Sequence, residues 1–409
     1  MKKLLILGDN VHSENLIRIA KERGIYTILT DNRAIERSPS KLVADEYWDI
    51  SIRDTDALYE RSKIEGVSGV LCGASEVCTE AVRTLCKRLD LPFWISDKAW
   101  EITNDKVKFK ELCKKCGLPV AKDYKLDSEL KQQDLEKIQY PVVVKPADGC
   151  SSVGMHVCNN EAELIEGYRD AYDRSSTKKV VVEKYISGME LGLIYMFHEG
   201  KPYFFSDFDF YGDKDNGHPM AFGAEPSISH ANFREKYESE LSKLVAELDC
   251  REGSGFIQVL YNGKEEAVIE MNYRLAGGHF FNGRLLHEHM ISCAFSENAD
   301  IDEKALSHRV QSFIYFIWLK NGVIKHIEGL DKIAQNSAFL AMNPPKKTGE
   351  KVVAGTGMQQ MLTGILFKAE RDKAHEVVDF INETLLVTDE DGNDMVWRYG
   401  FELVGSLIQ

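Results

Sequence analysis

Apolar and polar positions follow two rhythms along this chain. Over residues 1–95, short continuous apolar runs alternate with amphipathic stretches. Lys3–Leu7, Tyr26–Thr30 and Val67–Cys72 read as buried strands, with a shorter strand at Asp45–Ile50. Between and after them, Ser13–Arg23, Thr55–Glu65 and Val77–Leu89 carry helical spacing; Gly24 stops the first, and Asp54 or Thr55 caps the second. That alternation predicts a parallel sheet covered by helices. Its first turn, Gly8-Asp9-Asn10-Val11-His12-Ser13, lacks the G-x-G-x-x-G glycines that let a backbone approach a pyrophosphate, which argues against a nicotinamide dinucleotide site. The turn Gly73-Ala74-Ser75-Glu76 follows the fourth strand, on the sheet edge where open sheets bind ligands. Glu76 there is either a substrate residue or a carboxylate favoured by a helix's first turn.

Beyond Leu91-Pro92 the strands become longer and polar residues interrupt them. Asn104 or Asp105 caps a helix that ends near Gly117, placing Lys106 in a first turn where the helix dipole disfavours a cation. Such a lysine is odd as structure and less odd as a phosphate ligand. Lys145 ends the apolar run Tyr140–Pro146, and the loop Ala147–Met155 follows, with Gly149 and Gly154 around Ser151, Ser152 and Val153. Backbone N–H groups of such a loop can fold over phosphates. It is not a Walker A loop, because no Gly-Lys-Ser/Thr follows. A hairpin turn with a surface lysine is the alternative, and it fits less well because Lys145 abuts an apolar strand. The strand Val180–Ile186 can present backbone groups at 184 and 186 to a flat base, with Glu190 near ribose hydroxyls; an exposed strand end is the alternative. A hairpin over Leu191–Phe197 and Pro202–Phe208 turns at Glu199-Gly200. The polar, weakly patterned Tyr211–Phe222, containing Lys214 and His218, reads as a loop near an active site.

After a helix at Glu235–Leu248, the strand Gly255–Leu260 pairs with the next through a turn at Asn262-Gly263. In that next strand, Glu270, Asn272 and Arg274 interrupt the apolar Val268, Ile269 and Met271 at every second position, which puts all three on one face. A carboxylate and an amide oxygen beside a guanidinium suit Mg2+ with phosphate, and Gln258 across the hairpin can supply another oxygen. A strand with one solvated face is the alternative. Gly277 and Gly278 then allow close backbone approach to something bound. From Ser307 onward, strands at Val310–Leu319 and Val352–Ala354 and a helix at Arg371–Thr384 show no convergent polar cluster.

Composition narrows the classes. At 409 residues, two or three domains are expected. A net charge of −14 argues against general nucleic-acid or anionic-membrane binding. Nine cysteines in a chain this long do not form a disulfide framework, and Cys113-x-x-Cys116 lies within a predicted helix with no second pair to complete a zinc site. The apolar start, Leu4–Leu7, ends at Gly8-Asp9-Asn10, too early for a signal peptide, so a cytoplasmic location is expected.

In this order the residues resemble the ATP-grasp superfamily over nearly the whole chain. The resemblance implies an α/β fold (α+β ATP-grasp): a Rossmann-like pre-ATP-grasp domain over 1–95, a two-subdomain ATP-grasp core over 96–305 with a lid subdomain at roughly 115–187, and a C-terminal α+β domain over 306–409. It places the phosphate lysines on Lys106 and Lys145 and the covering loop on Gly149–Met155. The adenine hinge falls on Glu183, Lys184, Tyr185 and Ile186, and the ribose acid on Glu190. It puts the metal ligands on Gln258, Glu270 and Asn272, and a substrate- or phosphate-facing guanidinium on Arg274, with Lys145, Glu270 and Arg274 as the catalytic set; Glu76, Gly277 and Gly278 are substrate candidates. Most members carry Glu or Asp where this chain has Gln258; carbamoyl-phosphate synthetases are similar to it there. The implied cofactors are ATP and Mg2+, with Mn2+ as a substitute. The implied partners are a small-molecule carboxylate and an amine, and a second copy of the chain. The implied reaction is ATP-dependent carboxylate–amine ligation through an acyl phosphate, releasing ADP and phosphate, and residues 272–279 look most like those of L-amino-acid (dipeptide) ligases. Bicarbonate activation of the biotin-carboxylase, N5-carboxyaminoimidazole-ribonucleotide-synthetase or carbamoyl-phosphate type is an alternative, and a nucleotide-binding module without turnover is another.

Overall fold

The computed structural model describes residues 1–148, 154–213, 218–227, 232–277, 283–298, 301, 306, 311–354 and 357–399. The first rhythm becomes β1 (Lys3–Leu7), α1 (Ser13–Glu22), β2 (Tyr26–Thr30), β3 (Glu46–Trp48), α2 (Thr55–Glu65), β4 (Gly69–Cys72) and α3 (Glu76–Leu89). The strands pair in parallel in the order β3-β2-β1-β4. Leu4, Leu5, Ile6 and Leu7 are fully buried, each worth about 1.5–3 kcal/mol of transfer free energy. Asp54 caps α2 by accepting from Ala57 N at 3.1 Å. Ser75 caps α3 by accepting from Cys78 N at 3.3 Å, so that helix begins at Glu76, one residue earlier than the spacing predicts. Strand order reverses between β1 and β4, and the turns following them converge there. A Cβ on Gly73 would lie 1.9 Å from Asn10 Oδ1, so only glycine permits this approach.

α4 (Asp97–Thr103) has no counterpart in the sequence reading; Ser96 caps it. Asp105 caps α5 (Lys106–Cys116) by accepting from Val107 N and Lys108 N at 3.0 and 3.1 Å, and Gly117 ends it at φ 93°. Cys113 and Cys116 are buried free thiols. A small antiparallel sheet, β6-β5-β7, follows from α6 (Gln132–Leu135), β5 (Val142–Pro146), β6 (His156–Cys158), α7 (Glu161–Arg174) and β7 (Val180–Lys184). It has a core of its own, which includes Leu135, Val142, Val144, Leu164 and Tyr168.

The large sheet runs through β8 (Met189–His198), β9 (Lys201–Asp213), β10 (His218–Glu225), β11 (Gly253–Tyr261) and β12 (Glu266–Asn272), with α8 (Phe233–Lys236) and α9 (Glu238–Leu248) between β10 and β11. α10 (Gly283–Ala294) follows β12. The rest comprises β13 (Ser312–Leu319), β14 (Gly322–Val323), β15 (His326–Glu328), α11 (Leu330–Ala334), β16 (Phe339–Met342), β17 (Lys351–Val352), β18 (Met361–Lys368), α12 (Ala374–Thr384), β19 (Leu386–Thr388) and β20 (Val396–Trp397). Strand order is β12-β11-β8-β9-β10-β13-β18-β16, with β20 paired to β13. Pairing continues from β10 into β13, across the stretch where sequence places the boundary of the last domain.

Both described ends of Tyr211–Phe222 are strand rather than the loop that their polarity suggests. Tyr211–Asp213 complete β9, His218–Phe222 belong to β10, and Tyr211 pairs with Phe222. Tyr211 and Phe222 are buried with Phe313 and Tyr315, so packing against β13 overrides the local pattern. Lys214 lies outside the described residues.

Candidate active site

β11 and β12 form the predicted hairpin, with Gln258 directly opposite Glu270 and a bulge between Gln258 and Val259. The period-two face brings the predicted residues together in one chain of contacts. Gln258 Nε2 donates to Glu190 of β8. Asn272 Nδ2 donates to Gln258 Oε1 at 2.7 Å and to Glu270 Oε1 at 3.2 Å. Lys106 Nζ, reaching across from the first turn of α5, lies 3.6 Å from Glu270 Oε2. On the other side, Arg274 Nη2 donates to Asn272 Oδ1 at 3.2 Å and lies 3.6 Å from Glu76 Oε1. Arg274 Nη1 donates to Leu275 O, the guanidinium stacks 5.3 Å from the Phe256 ring centre, and its Nε is buried with no partner among the described residues. Glu76 opens α3, and its carboxylate lies beside Arg274.

These donors fit a hard cation. Gln258 Oε1 and Glu270 Oε1 converge on one Asn272 amide group, which occupies the place between two oxygens where a cation would be held. One carboxylate with amide oxygens suits Mg2+, which takes its remaining ligands from water and phosphate.

Lys145 belongs to a second cluster. Its Nζ lies 2.5 Å from Glu183 Oε1, and Lys110 Nζ lies 2.7 Å from Glu183 Oε2. Lys110 and Lys114 both pair with Asp123. Burial disfavours charge on Glu183, but the two ammonium groups outweigh it and hold the carboxyl below its usual range. Glu183 therefore anchors lysines with its side chain. The backbone of the expected hinge is also partly committed: Lys184 N donates to Lys122 O at 2.9 Å and Tyr185 N to Pro141 O at 3.1 Å. A base edge reading residue 184 would have to use its carbonyl. Lys184 itself pairs with Glu265, and the Ile186 side chain is buried.

Gly149, Ser151, Ser152, Val153 and Gly278 lie outside the described residues. Gly154 takes φ 73°, and a Cβ there would meet Arg174 Cδ at 2.7 Å. Gly277 is exposed, and a Cβ there would lie 4.0 Å from Ala74 Cβ, so the segment after β12 faces the turn after β4. Sequence reading missed Lys110, Asp123 and His12. His12 Nε2 donates to Ala276 O at 2.8 Å and its Nδ1 lies 2.9 Å from His287 Nε2, fixing the segment that leads to Gly277. Lys110 had one available signal, since it stands four residues after Lys106 on the same helix face.

A family model described as D-ala D-ala ligase C-terminus matches residues 112–202. The 2-oxoglutarate carboxylase small subunit of Hydrogenobacter thermophilus is 27% identical over 209 residues, 45% of this chain and 42% of that one. The chain thus spans under half the length of that relative. Two solved structures are similar over almost the full length. The L-amino acid ligase of Bacillus licheniformis has a TM-score of 0.77 at 17% identity, covering 95% of this chain and 99% of its own. The biotin carboxylase domain dimer of the Hydrogenobacter thermophilus 2-oxoglutarate carboxylase, in complex with MgADP and bicarbonate, has a TM-score of 0.77 at 19% identity, covering 100% and 94%. The fold of this chain is the ATP-grasp fold. Among the described residues, no helix is long and apolar enough to cross a membrane.

Proposed function

We propose that this chain is an ATP-dependent carboxylate–amine ligase that forms an amide or peptide-type bond and releases ADP and phosphate. The observation that carries this reading is the unbroken chain of contacts from Glu190 through Gln258, Asn272 and Glu270 to Lys106, with Arg274 and Glu76 at its other end. Phosphoryl transfer needs positioning and charge neutralisation rather than covalent help. Lys106 and Lys145 supply cations for the phosphates, and Glu190 an acceptor for ribose hydroxyls. Mg2+, held by Glu270 with Gln258 and Asn272, would spread the phosphate charge. Arg274 orients the carboxylate, one oxygen of which attacks the γ-phosphorus as ADP leaves. The amine nitrogen then attacks the acyl carbon, phosphate departs, and the nitrogen loses a proton. Arg274 also stabilises the anionic oxygens that develop in both steps.

Arg274 and Glu76 support the leading reading over bicarbonate activation. A guanidinium and a carboxylate 3.6 Å apart are the complement of a carboxylate and an ammonium on one small molecule, so an amino acid is the substrate class that uses both. Bicarbonate has no ammonium group to pair with Glu76. The carboxylase relatives support bicarbonate as the second reading. ADP release, measured with Mg-ATP over a grid of carboxylates (amino acids included) against amines, plus bicarbonate, with product masses, tests both. Release that needs two partners, with a product one water lighter than their sum, supports the ligase. Release with bicarbonate alone supports the second reading, and tight ATP binding without ADP across the grid supports a module without turnover. The dimeric neighbour motivates a homodimer here, tested by light scattering.

A further inference from the structure

A second cluster of metal-binding side chains lies at the far end of the same strands. Gln258 and Gly253 are five residues apart on β11, about 17 Å along the strand. Just before Gly253, Glu252 meets His198 at the end of β8 and His289 on α10, and one ligand atom from each lies within 4.8 Å of the others. His198 Nδ1 is 3.1 Å from Glu252 Oε2. Cys293, one turn after His289 on α10, brings its Sγ to 3.6 Å from His289 Nε2 and 4.0 Å from Glu252 Oε2. A tetrahedral shell with bonds of about 2.0–2.3 Å separates its ligand atoms by roughly 3.3–3.8 Å. The cluster is already close to that spacing.

We propose that His198, Glu252, His289 and Cys293 form a structural Zn2+ site that pins α10 to the β8 and β11 ends of the large sheet. The set contains two neutral imidazoles, one carboxylate and one thiolate, so a divalent ion makes it electrically neutral. That matters because His289 is 2% exposed and Cys293 7% exposed. A bound cation supplies the charge that a buried thiolate needs. His289 Nε2, the atom that meets Cys293 Sγ, also lies 2.9 Å from Phe197 O and 3.3 Å from Gly253 N, so a bound ion would take the place of those backbone contacts. Glu252 is preset by a second contact, since its Oε1 accepts from Glu199 N at 3.0 Å. A pocket of about 260 Å³, lined in part by Met196, His289 and Ser292, reaches one member of the cluster, His289. Nitrogen and sulfur donors favour Zn2+ over Mg2+, which separates this site from the Glu270 face.

The test uses the full chain, stripped with a chelator and titrated with Co2+ in excess Mg2+, followed by Zn2+. One equivalent of Co2+ is expected to give tetrahedral visible absorption with a thiolate charge-transfer band, and Zn2+ to displace it and raise the melting temperature. His198→Gln changes a side chain at the rim and is expected to weaken Co2+ binding at least about tenfold. Cys293→Ser is expected to keep a bound ion but lose the charge-transfer band. Glu270→Ala is expected to leave the band unchanged. Three results would each overturn the proposal: no absorption change in the wild-type chain, unchanged affinity in a folded His198→Gln variant, or loss of the band in Glu270→Ala.

Discussion

On the β11–β12 face, uncharged amides link the acids: Asn272 bridges Gln258 and Glu270, and Gln258 bridges to Glu190. On the small β6-β5-β7 sheet, charges meet directly: Glu183, 5% exposed, takes Lys145 on one oxygen and Lys110 on the other. An amide can turn or release a donor at the cost of about one hydrogen bond, roughly 0.5–1.5 kcal/mol, so the first face can exchange N–H donors for a cation. Removing one partner from a buried ion pair costs several times that, so the second cluster holds its lysines in place before any ligand arrives. One region is built to accept charge, the other to keep it in position.

The largest effect that would break this comparison is at Glu270. Glu270→Ala removes the only carboxylate among the proposed Mg2+ ligands, and ADP formation is expected to fall by at least about 10³-fold, with unchanged turnover defeating the site assignment. Lys145→Ala comes next. Lys110 still holds Glu183, so the fold is expected to survive while the KM for ATP rises about 10–100-fold; steady-state kinetics with melting curves separate the two effects. Gln258→Glu sharpens the contrast, because it sets a carboxylate against Glu190 where an amide now donates. Without Mg2+ the variant is expected to lose about 1–2 kcal/mol by denaturant titration, and with Mg2+ to bind the ion more tightly. Equal stability with and without Mg2+ would show that residue 258 does not face the ion.

The smallest effect is the acid limb of stability. Burial opposes charge on Glu183, but Lys145 and Lys110 hold its folded-state carboxyl below the unfolded value of about 4.3. Its contribution is therefore full above that value and is lost as pH falls through the lower folded value. Glu183→Gln is expected to flatten the acid side of a stability–pH curve and leave the neutral-to-alkaline side parallel to wild type. A parallel acid limb would mean that the pair adds no linked protonation.

Signals carried within a few residues were legible in the chain. Period two placed Glu270, Asn272 and Arg274 together, Asp105 and Asp54 announced their helices, and Asn262-Gly263 announced the hairpin that sets Gln258 opposite Glu270. These follow from dihedral and hydrogen-bonding preferences that neighbouring residues share, so no long-range information is needed. The tertiary structure alone decided which distant groups meet. That Glu183 anchors two lysines became visible only when Lys110, 73 positions earlier, was seen to claim its second oxygen. Tyr211 and Phe222 looked like loop residues until β13 buried them. His198, Glu252 and His289 were unremarkable in sequence because they lie on three elements whose ends converge only when β8, β11 and α10 pack. Contacts between remote residues depend on the register and packing of whole elements, and local pattern does not encode them.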